Sequence, residues 1–177
     1  MSIFFTADLH IGHTNILYLQ HRPFSSISEM NETIIENWNS TVDSKDTVYL
    51  LGDVGLCNSV YLAKYLIRLH GTIHLIPGNH DKAALKIPNH FASINPLLNI
   101  QINKQFLTLC HYPMRSWLRC GRKSFHLHGH WHTQDHTEYR TRIGNYRMLD
   151  VGVDGWGYRP VRYETVYELL HNLQDTQ

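Results

Sequence analysis

Short apolar runs alternate along this chain with stretches whose apolar positions recur at helical spacing. Ile3–Ala7 is a brief apolar run ending in the polar block DLHIGH, the pattern of a buried strand. Thr14–Gln20 suits a short helix. In SSISEMNETIIENWNSTV, residues Ile27, Met30, Ile34, Trp38 and Val42 share one helical stripe, and Ser26 and Glu29 have capping-box spacing. Thr47–Leu51 predicts a second strand, ending in GDVG. Asn58 can cap a third helix that stops at Gly71, and Thr72–Ile76 predicts a third strand, ending in PGNHD. A β-α-β-α-β order with strands this apolar implies a largely parallel sheet buried on both faces. In such sheets functional loops gather at the carboxyl ends of the strands.

The second half reads differently. Leu98–Ile102 and Gln105–Leu109 flank Asn103-Lys104 as a hairpin. CHYP follows, then the strand SFHLHGHWH, another apolar strand near Arg147–Val153 and an amphipathic helix over roughly Glu164–Leu173. These elements predict a second, more antiparallel sheet packed on the first. The expected class is α/β: a four-layer α/β/β/α sandwich of two packed mixed β-sheets flanked by helices. With no linker, repeat or low-complexity tract in view, residues 1–177 are expected to form one domain.

Composition narrows the chemistry. Hydrophobic residues at 42% against 18% charged ones indicate a folded chain rather than a disordered one. A formal net charge of +1 advertises neither nucleic acid nor an anionic membrane as partner. The 14 histidines nearly match the 16 lysines and arginines, which points to metal binding or acid–base work. Three cysteines, an odd number without CxxC spacing, argue against a disulfide framework or a thiolate zinc cage. MSIFFTADLH lacks a basic leader and no later run is long enough to span a bilayer, so a cytoplasmic location without membrane attachment is expected.

The polar residues just past the strand ends form a set: Asp8, His10, Asp53, Asn79, His80, His111, His130 and His132. They offer carboxylate, imidazole and amide oxygen but no thiolate, which suits two divalent cations of hard to borderline character. The tract FHLHGHWH places histidines at every second position from 126 to 132. Gly129 divides it: His126 and His128 belong to the strand, whereas His130 and His132 lie in the loop beyond.

The blocks DLH at 8–10, GD at 52–53, GNHD at 78–81, His111 and GHWH at 129–132 resemble, in kind and order, those of the calcineurin-like metallophosphoesterases. The longer phrases RPF, CHYPMRSW, LHGH and VGVDGWGYRP look like the compact stand-alone members of bacteria and their viruses. The resemblance implies two divalent metal ions, Mn²⁺ foremost, with Fe, Ni²⁺, Zn²⁺ or Mg²⁺ as alternatives. Asp8, His10 and His132 would hold the first, Asn79, His111 and His130 the second, and Asp53 would bridge both. A hydroxide between the ions would attack phosphorus in line with the leaving oxygen. His80 would protonate the leaving group, with Asp81 fixing its tautomer and orientation. The implied partner is a phosphate mono- or diester, with a phosphodiester, nucleotide or nucleic-acid end favoured because 177 residues leave little room for a cap domain.

Other residues stay open at this level. His13 either contacts substrate or begins a helix. The acid-free segment YPMRSWLRCGRKS is either a solvated basic loop or a cationic rim, with Arg115, nearest His111, as its best substrate contact. Trp117 and Trp156 suit base stacking or packing. Two other classes compete: a metal-stabilised scaffold without catalysis, and a zinc-storing histidine protein. The presence of His80 beside a full ligand set disfavours the first, and the Asp and Asn partners disfavour the second.

Overall fold

The computed structural model describes residues 1–136, 139 and 146–173. The apolar run after the initiator pair forms β1 (Ile3–Thr6), followed by α1 (Ile16–Leu19) and α2 (Ile27–Asn39). Next come β2 (Thr47–Leu50), α3 (Ser59–Leu66), β3 (Thr72–Leu75) and the two-residue β4 (Ser93–Ile94). The hairpin strands are β5 (Leu98–Ile102) and β6 (Gln105–Leu109), followed among the described residues by β7 (Phe125–His128), β8 (Met148–Asp150), β9 (Val161–Arg162) and α4 (Tyr163–His171).

Local signals explain the helix starts. The Ser26 hydroxyl accepts the Glu29 N–H at 3.1 Å. The Glu29 carboxylate reaches back one residue further than a standard capping box and accepts the Ser25 N–H at 2.8 Å. Asn58 caps α3 by accepting the Tyr61 N–H at 2.9 Å. That helix ends at Leu66, earlier than the expected Gly71, and Gly71 instead supplies a left-handed turn (φ 89°) into β3.

The first sheet has the order β4-β3-β2-β1-β9, parallel except for β9. The second has the order β5-β6-β7-β8. It is mixed: only the β5/β6 hairpin is antiparallel, while β6/β7 and β7/β8 are parallel. The expectation of a more antiparallel second sheet is therefore corrected. Parallel pairing means that the chain returns to the same end before each new strand, as 110–124 does between β6 and β7. This matters for function, because the carboxyl ends of β6, β7 and β8 now share one edge. A bridge between Ala7 and Gly152 pins that edge to the carboxyl end of β1.

Strands β1 and β2 are nearly continuous apolar runs because both of their faces are covered. Phe4, Val48, Leu50, Ile73 and Leu75 pack under the stripe Met30, Ile34 and Trp38 of α2 and under Leu62 and Leu66 of α3. Phe5, Ala7 and Leu51 face the other way, against Leu107, Leu109, Phe125, Leu127 and Leu149 of the second sheet. Tyr163, Val166 and Leu170 of α4 close this inter-sheet core. Full burial of each large apolar side chain contributes roughly 1.5–3 kcal/mol. The outer face of the second sheet carries His126 and His128, buried beneath Trp117, Trp131 and Tyr139. Two mixed sheets flanked by helices thus make the α/β sandwich expected from the pattern. No described helix is long and apolar enough to cross a membrane.

Candidate metal centre

All seven candidate ligands lie just past strand ends on the shared edge, and five sit in a conformation that side chains rarely adopt. Asp8 (φ 59°), His10 (53°), Asp53 (53°), His130 (70°) and His132 (52°) are left-handed. Each such residue costs of order 1–3 kcal/mol and persists only where surrounding bonds hold it. Those bonds run between the loops: Asp8 N–H to the Gly52 carbonyl at 3.0 Å, and His10 N–H to the Asp53 carbonyl at 2.9 Å. The His130 N–H donates to the Asp8 carboxylate at 3.0 Å. Glycines allow the loops to approach. A Cβ on Gly129 would lie 2.7 Å from Asp8 Oδ2, and one on Gly78 would lie 2.8 Å from His111 Nε2.

Two overlapping donor groups result. Asp8, His10 and His132 converge, as do Asp8, Asp53 and His111, with the ligand atoms in each group within 4.8 Å of one another. Asp53 stands between them: its Oδ2 is 3.6 Å from His10 Nε2 and 3.6 Å from His111 Nε2. Its Oδ1 accepts the His80 N–H at 2.9 Å. Asn79 Oδ1 lies 3.2 Å from His111 Nε2, and the His130 ring stands against His111 with centroids 5.1 Å apart. Thus Asp8 belongs to both groups, and Asn79 and His130 flank the second.

Buried partners set the direction of the imidazole lone pairs. His111 Nδ1 donates to the Leu51 carbonyl at 2.8 Å, so its Nε2 lone pair faces the site. His132 Nδ1 lies 2.9 Å from Asp154 Oδ2, which orients its Nε2 in the same way. His132 Nε2 and His10 Nε2 then meet at 3.3 Å, two nitrogens facing one another beside a carboxylate. Arg22 completes this support. It donates to both Asp154 oxygens at 2.8 Å, to the Asp8 carbonyl at 2.7 Å and to the Leu9 carbonyl at 3.1 Å. Asp150 accepts from Thr133 and from the Gly152 N–H at 2.8 Å, fixing the loop after His132.

Arg22, Asp150 and Asp154 are the functional residues that sequence reasoning misses. They stand in or beside RPF and VGVDGWGYRP, phrases that carried a resemblance but no role. Asp81 is placed otherwise than expected. It is buried, and its carboxylate accepts the N–H groups of Gly78 (2.7 Å), Val54 (2.7 Å) and Asp53 (2.9 Å). It ties the Asp53 and Asn79 loops together, whereas the half-buried His80 ring lies over His10 (centroids 5.6 Å). His13 stands beside the site, its Nδ1 3.2 Å from His10 Nδ1, and its carbonyl accepts the Ile16 N–H entering α1, as the helix-start reading expects. Arg115 is exposed on the loop after β6, and among the described residues it makes no hydrogen bond or ion pair with the ligands. His128 reaches Tyr139 and the Gly129 carbonyl rather than a ligand ring.

The electrostatics fit a cation. Burial, and then the charges of Asp150, Asp53 and Asp154, push the Asp8 carboxyl well above its ordinary range. Burial, with His132 and Arg22 adding to it, holds His10 well below the usual imidazole value. Burial and His111 likewise lower His130. Burial would raise Asp154, but the His132 hydrogen bond and Arg22 outweigh it and keep the carboxyl low. A buried carboxyl that resists charging, beside imidazoles that resist protonation, is what divalent cations would reconcile. A polar cavity of about 340 Å³ opens beside His132, bordered by Gln20, Trp131 and Thr133.

Comparison with known proteins places the chain in a family. A model of the calcineurin-like phosphoesterase family matches residues 1–168. An uncharacterised protein of Methanocaldococcus jannaschii is 34% identical over 170 residues, 95% of this chain and 90% of that protein. The gene 66 protein of Mycobacterium phage L5 is 24% identical, covering 98% of this chain and 96% of its own. A solved protein of unknown function from Aquifex aeolicus shares the fold, with a TM-score of 0.75 at 23% identity over 95% of this chain and 98% of that one. With most of its length matched by the family model, this chain belongs to the calcineurin-like phosphoesterase family.

Proposed function

We propose that the protein is a dinuclear-metal phosphoesterase acting on phosphate mono- or diesters, with phosphodiesters and nucleotide-type esters favoured. One observation carries the reading: the Asp53 carboxylate lies between the His10/His132 and Asn79/His111 donors, 3.6 Å from an imidazole nitrogen on each side. Asp8, His10 and His132 would hold one ion, Asn79, His111 and His130 the other, and Asp53 both. Manganese is the first candidate among the divalent metals such an N/O set accepts. Two such ions supply Lewis acidity that acidifies water and polarises the phosphoryl oxygen.

The chain's own residues do the rest. The new bond forms between a water oxygen and phosphorus, and the ester P–O bond breaks. His80, half-buried at the mouth of the site, gives its proton to the leaving alkoxide. Asp81 is a positioning residue that holds the two loops bearing Asp53 and Asn79 in register. His13 and Arg115 are the substrate contacts, and exposed Asn79 leaves room for an ester that extends beyond the site.

The test is a Mn²⁺-supplemented screen of chromogenic monoesters against diesters with Asp53→Asn and His80→Ala as controls. Activity should require added metal and collapse in Asp53→Asn. His80→Ala should cost about 10²–10⁴-fold on alkyl esters and much less on nitrophenyl esters, whose leaving group departs without a proton. Metal-independent turnover, or full activity of Asp53→Asn, sinks the proposal.

A further inference from the structure

We infer that the loop 112–124 is a docking tract for a single polynucleotide strand, which it presents to the metal centre. The inference rests on the phosphoesterase reading and names the substrate class of that site.

The loop leaves β6 directly after the ligand His111. Its first residue, Tyr112, packs against the rings of both His111 (centroids 5.0 Å) and His130 (4.9 Å), yet it is 44% exposed. An aromatic ring fixed at the wall of a phosphoesterase site and open to solvent is a platform for an unpaired base.

The loop is ordered from within. Trp117 is buried, and its indole N–H donates to Ser124 Oγ at 3.0 Å, while that hydroxyl donates to the Leu118 carbonyl at 2.6 Å. The Met114 N–H donates to His126 Nε2 at 3.2 Å, tying the loop to β7. Trp117 is thus an anchor, not a stacking platform.

On this frame stand Arg115, Arg119 and Arg122, all exposed, in a segment with no Asp or Glu. Among the described residues none of the three makes an ion pair. The Arg119 guanidinium lies 3.8 Å from the centre of the Phe106 ring, which fixes its position. The chain as a whole is nearly neutral, at +1, so this is a local patch rather than general basicity. Guanidiniums held in place by a pre-ordered loop bind a phosphate chain without first paying to order the loop. An acidic protein would match the charge but has no use for Tyr112, and a membrane has no unpaired base to stack on it.

The experiment is fluorescence anisotropy of labelled single-stranded DNA and RNA oligonucleotides with the whole protein in EDTA. Three phosphate contacts give a slope near −0.7 per contact, so affinity should fall about 20-fold between about 50 and 200 mM salt. Arg115→Gln, Arg119→Gln and Arg122→Gln together should reduce that change to about threefold or less. Tyr112→Ala should weaken binding about tenfold with the salt response kept, and Tyr112→Phe should bind as the wild type does. A flat salt response in the wild type overturns the inference even if the variants fail to fold. So does a triple variant with the wild-type salt response, equally tight binding of duplex, or capture by phosphatidylserine vesicles without strand binding. Hydrolysis of small nitrophenyl mono- and diesters by the same protein, with Mn²⁺ supplied in place of EDTA, separates the two readings. Its presence without strand binding removes only the tract, whereas its absence beside strand binding removes the phosphoesterase reading.

Discussion

Asp154→Asn probes how far the metal centre depends on residues that touch no metal. The change is isosteric, so packing is kept and one charge is lost. In the native protein Asp154 accepts two hydrogen bonds at 2.8 Å from Arg22 and pairs with His132 Nδ1 at 2.9 Å, and the Arg22 and Asp154 side chains are fully buried. Removing one partner of such a pair leaves the guanidinium uncompensated, at about 3–5 kcal/mol. For a chain of 177 residues, each kcal/mol moves Tm by about 2–4 °C, so the metal-free variant should melt about 6–20 °C lower. His132 also loses the carboxylate that orients its ring, which should weaken metal binding about 10–100-fold. Thermal melts in EDTA read the first effect and calorimetric titration with Mn²⁺ reads the second. A Tm within about 2 °C of wild type, together with unchanged Mn²⁺ affinity, would refute the argument that this ion pair supports both the fold and the site.

Two further outcomes follow from the same structure. Adding Mn²⁺ to about 100 times its Kd should stabilise the metal-free protein by about 2.7 kcal/mol per ion, seen as a Tm rise that Asp53→Asn blunts; no rise would deny the site a metal. Burial, then the neighbouring His128, lowers His126 to about 4 from 6.5. As pH falls below 6.5 the unfolded chain takes up this proton first, so the stabilisation is complete above 6.5 and is lost on the way down to 4. Between those limits the wild type should lose about 3 kcal/mol more than His126→Gln in urea titrations, and equal losses would exclude His126 as the source.

The candidate ligand blocks were legible because chemistry and topology coincide there: a strand buried on both faces must be apolar, so its end is marked by the first polar cluster. Asp8, Asp53 and Asn79 are read off in that way. The residues supporting them were not, because their roles exist only after folding. Arg22 and Asp154 meet across a separation in sequence that no local pattern records. Their meeting depends on β8 running parallel to β7, so that the segment after β8 emerges at the same edge. Asp81 shows the opposite error: next to His80 in sequence, it turns inward to three backbone N–H groups while His80 faces the site. The alternation in FHLHGHWH was real but referred to the sheet, since His126 and His128 point to its outer face and are buried there. Beyond Gly129 the chain turns left-handed at His130 and again at His132, and that break carries imidazoles to the edge of the candidate metal centre. A histidine tract therefore becomes a candidate ligand pair where the strand stops, and the strand's own His126 ties down the loop that we infer holds the substrate.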